Sequence, residues 1–437
     1  MFWHLLAHWL SFFFPVFYKK IEGRNIHYLH KKGPAIIAMN HPNAFTDPII
    51  ISHLTYPLRL KYMARGDAFK PGLVTFLLES MGIVPIYRMR DGGKEGLKKN
   101  DESYQRVNAL LGKNKKVIVF AEGLCVQERR LRPLKKGVAR MVFGAYEFLQ
   151  NDSLTIIPVG INYNQPDAFR SKVFYNVGEP IPVKDYVELY RENPARAQTK
   201  LLTDLSQRMK ELITHVDNPV NDVAMLQIET LCMEDRLREK QLKPTLANEL
   251  TVLKELTHTL NQGEQHHPGI VSEFREKAAE YFHLLKTHRL RDWVIRPGHQ
   301  SSINTFGITF RLFILFLGAP LYLAAFLLNY PAMFLTHAIT SRRIKSVEFY
   351  SSVAIGIAML LFTIQYAIWF ILASQIVESV FGPYLVCLFA FLSGWFALFY
   401  YPYFKKTRAL LYCLIHKDIY AMLRQKREVL VAILNKF

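Results

Sequence analysis

The stretch Pro34-Ala35-Ile36-Ile37-Ala38-Met39-Asn40-His41-Pro42-Asn43-Ala44-Phe45-Thr46-Asp47-Pro48 decides how this chain is read. Its first six residues form a short, continuous apolar run, the pattern of a strand buried on both faces. Asn40 and His41 follow at once, which puts polar chemistry at the carboxyl end of that strand. Five residues separate His41 from Asp47. A continuous helix would carry the two side chains about 600° apart, onto different faces. The segment must therefore bend, and Pro42 and Asn43 suit a bend. In such a turn His41 can act as a general base while Asp47 orients it and stabilises its charge. Asp47 also fits a helix N-cap, because Pro48 and an apolar helical run follow it. His41, taken alone, also fits a buried, hydrogen-bonded histidine.

Similar apolar runs recur at 58–64, 83–87, 116–120, 154–161 and 172–177, with helical patterns over 69–81, 101–113 and 137–149 between them. Alternation of this kind implies an α/β fold, a largely parallel sheet flanked by helices, over residues 21–215. Sites in such sheets gather at the carboxyl ends of the strands. One strand ends at Arg88, whose planar fork of donors can clamp a phosphate. Another ends in Phe120-Ala121-Glu122-Gly123. Glu122 there can hold a substrate hydroxyl or simply start a turn. The next loop carries Arg129, Arg130, Arg132, Lys135 and Lys136 and runs into a helix at Gly137. Cationic side chains leading into a helix N-terminus make an anion site; a basic loop lying on anionic lipid is the alternative. A fourth strand, Ile156-Ile157-Pro158-Val159-Gly160, holds a proline and a glycine that imply an irregular edge or close approach of another group.

The rest of the chain turns toward the membrane. Half of the residues are hydrophobic, and 31 Phe and 22 Tyr concentrate at the two ends. The opening stretch, 1–20, reads as a helix in the membrane interface or as an ordinary core helix. His4 and His8 stand four apart there, without a third ligand that would favour a metal. Residues 216–300 form a helical extension, and 301–437 a membrane-embedded helical region. Within it, 351–376 and 382–402 are long enough to cross about 30 Å of hydrocarbon. Arg311 and the Gly318-Ala319-Pro320 break interrupt 306–340, which is expected to form a re-entrant hairpin. That hairpin would keep the basic clusters near 289–296, 342–345 and 405–408 on one, cytoplasmic, face. The formal charge of +19 then meets anionic lipid or a phosphorylated substrate rather than nucleic acid. Four cysteines without C-x-x-C spacing form neither a disulfide framework nor a zinc site.

The blocks Asn40-His41…Asp47, Arg88, Phe120-Ala121-Glu122-Gly123 and Ile157-Pro158-Val159, in this order over roughly residues 20–215, resemble those of the glycerophospholipid acyltransferase superfamily. The common first block has four residues between His and Asp; the five here are similar to a branch reading His-Pro-Asn. Ala121 stands where that family usually has proline, and Leu124-Cys125 where it has small hydroxylated residues, which leaves the acceptor open. The resemblance implies a membrane-bound O-acyltransferase, and the charge pattern puts its catalytic domain on the cytoplasmic face. His41 and Asp47 would be catalytic. Asn40, Arg88, Glu122, Gly123, Arg132, Lys135 and Lys136 would bind the acceptor, glycerol 3-phosphate or its 1-acyl derivative. The donor would be an acyl thioester of coenzyme A or acyl-carrier protein, with no metal or redox cofactor. A remodelling enzyme for another lysophospholipid or an amino-acid lipid remains the alternative within this class. A non-catalytic lipid-binding scaffold is the alternative outside it, and few spans argue against a transporter.

Overall fold

The computed structural model describes residues 11, 13–69, 72–80, 82–87, 89–298 and 303–437. The chain divides into two compact units, one of 1–215 with 346–352 and one of 216–345 with 353–437.

The first unit is built on one sheet. Its strands are β1 (Lys20–Arg24), β2 (Ala35–Met39), β3 (Lys61–Arg65), β4 (Ile83–Ile86), β5 (Lys116–Phe120), β6 (Thr155–Tyr163), β7 (Lys172–Val177) and β8 (Ile181–Pro182). They lie in the order β1-β7-β6-β2-β5-β3-β4, with β8 also paired to β6. Every pairing is parallel except those of β6 with β7 and with β8. The apolar run at 35–39 takes a central place, and all five of its residues are buried. Met39 is in register with Phe120 on one side and Val159 on the other. The ends of β2 and β5 therefore meet where Asn40 and His41 begin, with β6 running on beside them to Tyr163.

The helices of this unit are α1 (His27–His30), α2 (Thr46–Leu54), α3 (Leu73–Ser80), α4 (Met89–Gly112), α5 (Lys136–Leu149), α6 (Val187–Glu192) and α7 (Pro194–Leu212). Helix α5 buries Val138, Ala139, Met141, Val142, Phe143 and Ala145. Helix α7 starts at Asn193, whose side chain accepts from the Arg196 N–H, with Pro194 at the first helical position. It buries Ala197, Leu201, Leu205 and Met209, one helical stripe at four-residue spacing. Gly160 in β6 is where that helix's end comes closest: a Cβ there would lie 2.6 Å from both Cβ and the carbonyl oxygen of Leu212. The glycine in the fourth strand thus marks a close approach. At the chain's start, residues 1–10 and 12, with His4 and His8, lie outside the described residues. The segment's end is packed inside this unit: Phe14 and Tyr18 are buried, against His53 and Tyr163 respectively.

The second unit is helical. It contains α8 (Asp222–Glu239), α9 (Leu246–His266), α10 (Pro268–Thr287), α11 (Asp292–Ile295), α12 (Thr305–Arg343), most of α13 (Val347–Ile376), α14 (Gly382–Ile415) and α15 (Lys417–Leu434). Among the described residues, α12, α13 and α14 are long and apolar enough to cross a membrane.

The expected hairpin at 306–340 is corrected. Helix α12 runs unbroken for 39 residues through Pro320 and Pro331, roughly 58 Å at 1.5 Å per residue. Neighbouring helices add side-chain hydrogen bonds to its backbone close to both prolines. The Gln365 side chain of α13 accepts the Ala332 N–H at 2.7 Å and donates to the Leu328 carbonyl at 2.6 Å, bridging the ladder beside Pro331. The Tyr400 hydroxyl of α14 donates to the Leu315 carbonyl, a turn before Pro320, at 2.7 Å. Proline is tolerated in an apolar helix where neighbours re-satisfy freed backbone groups in this way. Three crossings would also place 342–345 and 405–408 on the face opposite 289–296.

Candidate active site

His41 lies two residues beyond β2, in a turn that closes on the first turn of α2. The Thr46 and Asp47 N–H groups both donate to the Asn43 carbonyl, at 3.1 and 3.0 Å. This brings the His41 Nδ1 to 2.8 Å from Asp47 Oδ2. Asp47 is fully buried and is held by two further donors. The Asn43 N–H reaches Oδ2 at 2.8 Å and the Tyr163 hydroxyl reaches Oδ1 at 2.8 Å. The Tyr175 hydroxyl donates to the Asp47 carbonyl, also at 2.8 Å. Burial pushes the Asp47 carboxyl above its usual range, and the His41 hydrogen bond and charge, with the Asn43 and Tyr163 donors, act in the opposite direction. The imidazole lies flat on Phe120, ring centroids 3.6 Å apart and planes 13° apart. With Nδ1 committed to Asp47 and one ring face covered, Nε2 is the nitrogen that remains for proton transfer.

The N-cap expectation for Asp47 gives way to this arrangement. Helix α2 begins two residues earlier than an Asp47 cap requires, with Phe45 in the cap position and no side-chain cap. The carboxylate turns back to the His41 turn instead.

Glu122 is buried and joins two loops. It accepts the Arg132 N–H at 3.0 Å and also the His41 backbone N–H. Burial pushes its carboxyl up to about 7. It thereby holds the histidine turn against the basic loop. Asn40 has a comparable place: its amide accepts the Ile161 N–H at 2.7 Å and donates to the Ile161 carbonyl at 3.0 Å, extending the sheet by one residue. Gly123 adopts φ +64, and a Cβ there would come 3.1 Å from Lys135 Cγ, so glycine serves the turn itself.

In the basic loop, Glu128 takes both oxygens to the Arg132 fork, at 3.0 and 2.5 Å, and lies 3.3 Å from Arg130 Nε. The Arg132 hydrogen bond holds the Glu128 carboxyl below its ordinary range. Arg129 reaches the Asn164 carbonyl at 3.3 Å. Lys135 and Lys136 are exposed. Arg88 lies outside the described residues. Cys125 contributes its sulfur as acceptor for the Ala44 N–H at 3.1 Å, and burial pushes its thiol well up. Tyr163 and Tyr175 are site residues that sequence reasoning missed, as is the stacking of Phe120, already named in the third block, on the imidazole.

The family model for acyltransferases matches residues 20–162, a span that holds the His41–Asp47 turn, Glu122 and the basic loop. Over these residues the chain is similar to acyltransferases, in line with the blocks read from the sequence. Glycerol-3-phosphate O-acyltransferase 1 of Saccharomyces cerevisiae is 24% identical over 306 residues, 68% of this chain and 37% of that protein. Glycerol-3-phosphate O-acyltransferase 2 of the same yeast is 32% identical over 111 residues, 25% of this chain and 15% of that protein. An uncharacterized acyltransferase of Schizosaccharomyces pombe is 26% identical over 260 residues, 58% of this chain and 37% of that protein. The matched part of this chain thus spans at most 37% of the length of these relatives. The 1-acyl-sn-glycerophosphate acyltransferase PlsC of Thermotoga maritima superposes with a TM-score of 0.33 at 16% identity, over 45% of this chain and 73% of that one. The acyltransferase domain thus carries a histidine–carboxylate pair at the carboxyl ends of its central strands, beside a cationic loop.

Proposed function

We propose that this chain transfers a fatty-acyl group from an acyl thioester to a hydroxyl of glycerol 3-phosphate or 1-acylglycerol 3-phosphate. One observation carries the reading: the 2.8 Å contact of His41 Nδ1 with a buried Asp47 that two further donors hold in place. His41 Nε2 takes the proton of the acceptor hydroxyl as its oxygen attacks the thioester carbonyl. The new C–O bond forms, the C–S bond breaks, and the departing thiolate takes the proton from the imidazolium. Asp47 holds the ring in the tautomer this needs and stabilises its positive charge. The cations of the 129–136 loop, with Arg88, hold the acceptor's phosphate. Coenzyme A and acyl-carrier protein both fit as carriers of the acyl group.

The membrane-associated helices suit an acyl donor and product that are lipids. We place the acyltransferase domain at the cytoplasmic face. Arg342, Arg343 and Lys345 immediately precede residues 346–352, which belong to that domain's own unit, and such clusters stay inside.

The test is acyl transfer by the purified full chain in lipid. Radiolabelled acyl-coenzyme A and acyl-carrier protein are offered with glycerol 3-phosphate, its 1-acyl derivative, other lysophospholipids and amino-acid lipids. Product from either glycerol phosphate supports the proposal. Product only from another acceptor overturns the substrate assignment, and no product from any pair favours a lipid-binding scaffold.

A further inference from the structure

Residues 346–352 open the apolar helix α13 but belong to the acyltransferase unit, and three contacts bind them to the site. The Ser351 hydroxyl donates to the Pro166 carbonyl at 2.6 Å. The same carbonyl accepts the Asn43 side chain at 2.9 Å, and the Asn43 N–H is one of the donors to Asp47. Ser351 is fully buried. From the loop after Glu122, the Gln127 side chain donates to the Val347 carbonyl at 3.1 Å. Phe349 packs edge-on against Phe45, ring centroids 5.7 Å apart. The first turn of α13 is therefore fixed to both loops that carry the chemistry.

Phe45 is an unusual residue for its place. It lies inside the turn between His41 and Asp47 and yet is 53% exposed. Packed on Phe349, it gives the turn an apolar face open to a ligand. The cationic 129–136 loop supplies the phosphate side of the site, so an acyl chain needs another way out. Phe45 and Phe349 offer an apolar surface, and α13 continues beyond it as an uninterrupted apolar helix to Ile376. On the transfer reading given above, we propose that Phe45 and Phe349 form the lip that receives the acyl chain of the donor, so that Phe349, outside the matched family region, determines chain-length preference.

The test compares the binding of S-palmityl- and S-butyl-pantetheine, unreactive thioethers of the arm common to both donor types, in lipid nanodiscs. The proteins are the wild-type chain, Phe349→Ala and Phe349→Leu. We expect the wild type to favour the palmityl compound. Phe349→Ala should weaken that compound about tenfold, the cover of roughly two methylenes, leave the butyl compound unchanged, and be rescued by Phe349→Leu. Equal palmityl affinity in all three proteins overturns the lip. Equal loss of both compounds overturns it too, since that is a purely structural effect. Transfer activity is measured on the same wild-type sample. The chain-length effect without transfer sinks the reaction while leaving the lip; binding of neither compound by the wild type sinks both.

Discussion

Replacing Glu122 by Gln tests the burial of that carboxyl and its sign. Folding raises the Glu122 pKa from 4.5 to about 7, chiefly by burial. The folded chain therefore holds the proton more tightly than the unfolded chain. The favourable contribution is fully present below pH 4.5 and is lost as pH rises through 7. At about 1.4 kcal/mol per pH unit, the loss across that window is about 3 kcal/mol. Glu122→Gln keeps an acceptor oxygen but does not titrate. Asp47 and Glu128 titrate in both proteins, so the difference between the two isolates Glu122. Urea unfolding followed by circular dichroism, at fixed ionic strength and detergent from pH 4 to 8, measures it. The variant should gain about 3 kcal/mol relative to the wild type between pH 4.5 and 7 and nothing beyond. Parallel curves would refute the burial argument. A variant that loses ground as pH rises would mean that the loop donors hold the carboxylate more strongly than burial opposes it.

Asp47→Asn should lower kcat by about 10²–10⁴-fold with little change in KM for either substrate, since it removes the charge and the tautomer control behind His41; steady-state kinetics on the two substrates checks it. Tyr163→Phe leaves Asp47 Oδ1 buried without its 2.8 Å donor, so urea unfolding should show a loss of about 1–3 kcal/mol. In the helical unit, the buried Asp292 accepts from Arg427 Nε at 2.9 Å and the Tyr281 hydroxyl at 2.8 Å and pairs with Arg296. Asp292→Leu removes the carboxylate that two buried guanidinium groups share, leaving Arg296 to Glu234 and Arg427 to Asp235, and should cost up to about 3 kcal/mol, seen as a lower thermal midpoint in detergent.

What the sequence made legible was local. Strands β2, β5 and β6 announce themselves as unbroken apolar runs because they are central and covered on both faces. The His41–Asp47 pair is legible because six positions and a Pro-Asn bend are enough to bring the two together. Strand β1 is not, for it lies at the sheet's edge and offers only Ile21 as a large apolar residue. The tyrosines on Asp47 come from 116 and 128 positions away, and no spacing reports a contact made by the sheet. The hairpin expectation fails for the same reason. Gly318-Ala319-Pro320 reads locally as a break, whereas the helix runs on through it, with Tyr400 of another helix bonded to the Leu315 carbonyl. Asp47 before Pro48 also looks like a cap, yet its carboxylate is taken up by His41, the Asn43 N–H and the Tyr163 hydroxyl.

The most direct test of the account is the rate of acyl transfer by His41→Ala beside the wild-type chain, in the same lipid and with the same donor and acceptor. Binding of the S-palmityl thioether serves as the check that the variant is folded. The account predicts a fall in kcat of at least about 10²-fold with donor binding retained. Unchanged turnover in a variant that still binds the thioether would contradict the role of His41 as the base.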